Sequence, residues 1–405
     1  MNKRRKNVIE NRRTTPKKRQ PRESLRQENS PQRITAPVSR KNRKNKRRQG
    51  GFKKFFKTLI MLVIVLALTG FAVNAFFLGN VNSDLHGNMS AYGISSEAAA
   101  MAKQHKIVNV AVFGVDGRDD VEGDRTDTIM IASADYEHSK IKVTSLMRDT
   151  YVYVNKKYGY DKLNAAYAFG GPDLALQTIN QNFDTAITDY VTVDFDAMVT
   201  MVNAVDGVTI DIKTEEELDW VNEYINDVNE KVNTGSPHLE ETGSQLVDGS
   251  QALAYCRVRY AGDGDFERTQ RQRAVFEQVL SKALDLDLMA QYKLLMDTLP
   301  YVETSLSTLE IMKYAANLAF MPSKDIEQTR LPADELISLD MLDGVSYVIP
   351  DTLTENIKEL YTFIYEESYT PSTTATEISD EIQDTLNGTS DDEYSYLEEA
   401  TNNYK

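Results

Sequence analysis

Residues 59–78, LIMLVIVLALTGFAVNAFFL, carry no charge, and Asn74 is their only strongly polar side chain. Twenty helical residues rising about 1.5 Å each span roughly 30 Å, the thickness of a bilayer's hydrocarbon core. The run therefore predicts a transmembrane helix over 58–78, and any folded domain must be built on one side of it. Lys53, Lys54 and Lys57 precede the run, and no Lys or Arg follows until Lys103. The positive-inside bias then puts the N-terminus in the cytoplasm and everything after residue 78 outside, a single-pass protein of the cell membrane. A cleaved signal peptide is the competing reading, with Val73-Asn74-Ala75 as a weak cleavage site. Against it stand a basic lead of 57 residues and an apolar core longer than the usual 7–15.

Charge divides the chain at the same place. The net charge of −15 averages 22 Lys and Arg against 3 Asp and Glu in residues 1–57, and 24 against 58 in the rest. The basic segment is rich in Pro, Ser, Gln and Asn and nearly free of aromatics, so it reads as a disordered cytoplasmic tail that attracts anionic lipid head groups. It lacks the aromatic interleaving or folded motif of a nucleic-acid binder, and no nucleic-acid partner is expected. Cys256 is the single cysteine, which excludes internal disulfides, so the exported part depends on an ordinary core.

Residues 79–106 read as an extracytoplasmic spacer with a short helical patch, SSEAAAMAKQH. The folded domain is expected over 107–368. Strands are predicted at 107–115, 128–135, 140–147, 190–195 and 207–212, and helices at 172–183, 195–205, 267–285, 286–300, 308–319 and 352–366. Alternating strands and helices imply an α/β fold with helices packed on a sheet. From 369 to 405 turn formers and acids dominate without sustained periodicity, which predicts an acidic disordered tail.

Charged residues recur at five places in this domain. At 114–127 the chain reads GVDGRDDVEGDRTD. It fails as a calcium loop, because counting from Asp116 puts Arg118 at position 3 and Val121 at position 6. Taken alone the stretch reads first as a solvated turn, yet Asp116 ends a strand, where ligands of open α/β sheets bind. In the helix 267–285 the apolar stripe through Val275, Phe276, Val279, Leu280 and Leu284 extends back through Gln272, Arg271 and Arg268, which should point inward. Gln270, Arg273 and Glu277 fall on the outer face. A buried guanidinium needs an anion; Asp265 or Glu267 would serve structurally, and a ligand would serve functionally. In YCRVRY, if extended, Arg257 and Arg259 project to one side and also want an anion. Arg148 and Asp149 end the strand 140–147. Lys162 and Asn164 open an Ala-rich segment closed by Gly170-Gly171, with Asn164 read as its helix cap. Cys256 reads as a packing residue.

Taken in order, these segments resemble the LytR–CpsA–Psr family of cell-wall glycopolymer phosphotransferases. The resemblance rests on GVDGR at 114–118, RTDT at 125–128, MRDTYV at 147–152, KLNAAYAFGG at 162–171, YVTVDF with the following VDGVTIDI, DGSQALAYCRVR at 248–259 and DFERTQRQ at 265–272. It covers about 107–285 and reaches toward 365. It implies an α/β fold whose central mixed β-sheet is sandwiched between helices. It also implies transfer of a polyprenyl-pyrophosphate-linked glycan, of teichoic acid or capsular type, onto a peptidoglycan acceptor through a phosphodiester. Carried over by position, Asp116 and Asp127 would hold Mg²⁺. Asp116, Arg148, Asp149, Arg257 and Arg259 would form the catalytic group, with Asp149 orienting Arg148. Arg118, Arg125, Lys162, Asn164, Arg268, Arg271 and Gln272 would bind the pyrophosphate and lipid head group. Two departures affect backbone restraint: Met147 stands where the family commonly has Pro, and Asp206-Gly207-Val208 where it has Gly-Gly-Val. A lipid pyrophosphate hydrolase and a non-catalytic envelope-associated regulator are the rival functions.

Overall fold

The computed structural model of the chain describes residues 89–115, 126–259, 265–323, 325–342 and 344–386. The basic tail, the predicted membrane span and residues 116–125 lie outside the described residues, as does 387–405. Among the described residues, no helix is long and apolar enough to cross a membrane.

A six-stranded mixed sheet organises the domain. Its strands are β1 (Ile107–Val115), β2 (Thr126–Asp135), β3 (Lys140–Leu146), β6 (Asp189–Val193), β9 (Val302–Thr304) and β10 (Asp325–Leu331), in the order β10-β3-β2-β1-β6-β9. β1 pairs parallel with β6 and β3 with β10, while β2 runs antiparallel to both β1 and β3. The C-terminal ends of β1, β3, β6 and β10 therefore share one edge of the sheet with the start of β2. A hairpin of β4 (Tyr151–Asn155) and β5 (Gly159–Lys162) leaves that edge directly after β3.

Alternation along the strands separates the two faces. On one, Ile107, Ala111, Phe113, Ile129 and Ile131 pack against α2 (Leu163–Phe183) and α9 (Leu353–Tyr365). A final helix, α10 at 373–386, adds Ala375, Ile378 and Ile382 to this core. The acidic segment after 369 is thus part of the fold up to residue 386. Buried Asp184, past the end of α2, accepts hydrogen bonds from the Ser372 amide and hydroxyl and from the Tyr369 hydroxyl. The expected spacer is also structured: α1 (Ser96–Gln104), capped by Ser95, buries Ala98, Ala99, Met101 and Ala102.

The opposite face carries Val110, Val112, Ala132, Val191 and Val193, all only half-buried. Beside it Ile141 packs with Leu284 of α6 (Asp265–Asp285) and Met321. Two further helices, α7 (Leu288–Thr298) and α8 (Thr308–Ala319), leave Met289, Tyr292, Met296, Leu309 and Met312 exposed.

A second core gathers α3 (Phe195–Ala204), the hairpin of β7 (Val208–Ile212) and β8 (Gly243–Val247), α4 (Glu215–Lys231), α5 (Gly249–Arg257) and Val275 of α6. Leu218, Val221, Ile225 and Val228 supply the buried stripe of α4. A Cβ on Gly249 would come within 2.4 Å of the Val199 carbonyl oxygen, so only glycine lets α5 lie this close to α3. At the β7 entrance Asp206 and Gly207 both have positive φ, 59° and 79°. The family's Gly-Gly thus meets a backbone need that Asp206 fulfils with strain. The Met147 amide donates to the Leu331 carbonyl at 2.9 Å, a bond proline could not make.

Candidate active site

Asp127 is the hub of the charged cluster at the shared sheet edge. Its Oδ1 accepts from Arg148 at 2.5 Å, and Arg259 reaches both carboxylate oxygens at 3.3 Å. Burial alone would raise the pKa of Asp127, but Arg148, Arg268 and Arg259 together hold it below the usual carboxylate range. Asp149 links the next two cations: one oxygen lies 3.5 Å from Arg148 Nε and the other 3.3 Å from Lys162 Nζ. The Asp149 carbonyl accepts from Val348, and the Arg148 carbonyl from Asn164, which fixes the turn that presents both side chains. Arg268, at 2% exposure, is the most deeply buried arginine among the described residues.

Several placements differ from expectation. Residues 255–257 close α5 rather than forming an extended strand, so Arg257 and Arg259 do not project side by side. Arg257 pairs with Asp227 of α4 and lies over the Phe195 and Tyr224 rings, whereas Arg259 crosses to Asp127. Arg271 is a structural residue. It meets Glu217 and Glu267 at 3.1 Å each and donates to the Val258 carbonyl at 2.8 Å, so carboxylates already neutralise it. Asn164 is no cap, because Lys162 holds the N-cap position of α2 and Asn164 is buried within the helix. Gln272 reaches the Cys256 carbonyl at 3.5 Å. Arg273 and Glu277 are only half-exposed: Glu277 accepts from Gln328 of β10, and Arg273 is buried enough to lower its pKa, with Arg330 beside it. Asp116, Arg118 and Arg125 lie outside the described residues. Burial pushes the Cys256 thiol up to about 12, in keeping with a packing residue.

The sequence reading missed Glu217 and Asp227 because it assigned no helix to 215–231. The signal was present, in Thr214 as N-cap, Glu217 three residues on, and apolars at 218, 221, 225 and 228.

For a divalent cation, Asp127 offers ionised carboxylate oxygens, the hard donors that Mg²⁺ takes. Arg148 and Arg259 hold those oxygens here, so a metal would share Asp127 with them. Among the described residues another ligand group is Asp135, His138 and Glu366, at the far end of β2. Buried Lys142 already contacts Asp135 at 2.8 Å and Glu366 at 3.1 Å, supplying there the positive charge a metal would bring. A groove between β10 and α9 is lined by Glu327, Glu359 and Glu366, a set that would repel a phosphate.

Residues 78–361 match the LytR_cpsA_psr family. The chain belongs to the LytR–CpsA–Psr family. A similar protein is the polyisoprenyl-teichoic acid–peptidoglycan teichoic acid transferase TagU of Enterococcus faecalis, 29% identical over 300 residues that cover 73% of this chain and 91% of that one. Biofilm regulatory protein A of Streptococcus mutans is 31% identical over 58% of this chain and 59% of its own length. Among solved structures, protein gbs0355 of Streptococcus agalactiae superimposes with a TM-score of 0.54 at 25% identity, covering 69% of this chain and 95% of that one. The mixed sheet between helices is the architecture expected of a LytR–CpsA–Psr domain.

Proposed function

We propose that this protein transfers a glycopolymer from a polyprenyl-pyrophosphate carrier to peptidoglycan through a phosphodiester, outside the membrane that its N-terminal apolar segment spans. The observation that carries this reading is the convergence of Arg148, Arg259 and Arg268 on Asp127 at one sheet edge, with Lys162 joined to Arg148 through Asp149. Clustered guanidiniums suit a multiply charged anion, and a pyrophosphate presents oxygens to several at once. The half-buried apolar face of Val110, Val112, Ala132, Val191 and Val193 suits the prenyl tail. TagU, the relative from E. faecalis, carries both donor and acceptor in its name.

In this reading an acceptor hydroxyl attacks the sugar-linked phosphorus. The P–O–P bond breaks, polyprenyl phosphate leaves with the bridging oxygen, and the acceptor's proton passes to water. Arg148 and Arg259 turn from Asp127 toward the phosphate oxygens and stabilise charge on the departing polyprenyl phosphate. Asp149 keeps Arg148 and Lys162 in place. Mg²⁺, held by Asp127 with Asp116, would neutralise further phosphate charge.

The test supplies the full chain with a glycan-bearing polyprenyl pyrophosphate, Mg²⁺ and peptidoglycan oligomers, and follows polyprenyl phosphate and glycan-linked muropeptide. Coupled product that requires acceptor and disappears in Arg148→Ala supports the transferase. Lipid phosphate released without acceptor would instead make the protein a hydrolase. Tight lipid binding without turnover would favour the regulator reading, which the name of the S. mutans relative brings into play.

A further inference from the structure

The outward face of the β4–β5 hairpin is aromatic. Inward positions Val152 and Val154 are fully buried, as a strand packed on a core requires. The other face of the hairpin holds Tyr151, Tyr153, Tyr160 and Lys162, paired Tyr151 with Lys162 and Tyr153 with Tyr160; the rings rest partly on the core, and the Tyr160 hydroxyl donates to Glu381 of α10 at 2.7 Å. Tyr151 and Tyr160 stack at 5.3 Å, Tyr153 tilts against Tyr160 at 5.3 Å, and Tyr347 of β12 (Val345–Pro350) meets Tyr151 edge-on at 5.1 Å. All four rings are half-buried, each keeping part of its surface in solvent.

This strip is continuous with the charged cluster. Lys162 Nζ lies 5.5 Å from the centre of the Tyr347 ring and 3.3 Å from Asp149, which contacts Arg148. At the other end the hairpin turn carries Tyr158 stacked on Phe169 at 4.3 Å, with Lys157 over the Tyr158 ring. From Tyr151 to Asn155 the strand advances roughly 13 Å, long enough for a few sugar rings. A pyranose offers an apolar C–H face to an aromatic ring and hydroxyls to its polar neighbours. Tyrosine provides rigid apolar area and a hydroxyl together.

We infer that this tyrosine strip binds the first sugars of the donor glycan, next to the phosphate that joins them to the lipid. The inference rests on the donor assigned above. It adds a site that reads the sugar and not the phosphate or the prenyl tail. The strip fixes the direction in which the polymer leaves the site and selects donors by their first sugars.

The experiment compares two probes on the full chain: polyprenyl pyrophosphate without sugar, and the same lipid carrying a disaccharide. Tyr347→Leu keeps apolar cover over the hairpin and removes the ring, and Tyr347→Phe restores the ring. Tyr151→Leu repeats the test one ring further on, should Tyr347→Leu unfold. The wild type should bind the glycosylated probe more tightly than the bare one. The leucine variants should lose roughly tenfold on the glycosylated probe alone, with recovery in Tyr347→Phe. Equal losses on both probes, or no preference for sugar in the wild type, would overturn the inference while leaving the donor assignment standing. Failure of the wild type to bind either lipid would overturn both.

Discussion

Asp127 is ionised because three guanidiniums surround it, and that dependence has a predictable pH signature. Folding lowers its pKa, so the unfolded chain takes up the proton first as the pH falls. Its contribution to stability is full above the ordinary carboxylate value of 3.8 and is lost as the pH drops through the lower native value. Asp127→Asn should therefore flatten the acid limb of an unfolding curve followed by circular dichroism. The same change should lower transfer by about a hundredfold or more, since the arginines lose the anion that holds them in position. Arg271 behaves differently. Removing it leaves the buried Glu217 carboxylate without its guanidinium and beside the Glu267 charge, so Arg271→Met should cost about 3–5 kcal/mol in denaturant titration. The double change Arg271→Met with Glu217→Leu should recover most of that loss. An unrecovered double variant would mean that Arg271 acts on more than this pair.

At the scale of elements, backbone geometry decides how the cluster is presented. Asp206→Gly removes a side chain from a left-handed residue and should raise stability by about 1 kcal/mol, measured as a shift in Tm. Gly249→Ala should do the reverse, because the added methyl meets the Val199 backbone. By moving α5 it should also displace Arg259, two residues past the helix end and in contact with Asp127, so loss of activity should accompany the loss of stability. The long strands β1–β3 and the helices α6 and α9 were legible from periodicity alone. The end of α5 was not, because YCRVRY reads as a strand by composition, and only its capping box of Asp248 and Gln251 marks the helix. Nor was α10, although Ala375, Ile378 and Ile382 recur at helical spacing and Ser372 accepts from the Ala375 amide as a cap. Its many acids masked the short apolar stripe.

For the whole molecule, α10 closes the core under α9, so truncation after residue 368 should be costly. Two buried isoleucines alone contribute roughly 3–6 kcal/mol, and the truncation also removes the hydrogen bonds that Ser372 and Tyr369 make to Asp184. Truncation after residue 386, by contrast, should leave Tm unchanged, and the two variants can be compared by calorimetry. The sequence by itself determined the α/β class, the order of the main elements and which arginines lie on the inward stripe of α6. These follow from local periodicity and from the cost of burying charge, both written in neighbouring residues. Which anion each arginine meets was decided only by the tertiary structure. Arg271 finds Glu217, Arg257 finds Asp227 and Arg259 finds Asp127, each across 30 residues or more. Coulomb attraction depends on distance in space, and the strand order and the approach of α5 to α3 set those distances. For the same reason a row of tyrosines scattered over 151–160 and 347 became one strip beside the charged cluster only when the hairpin folded against β12.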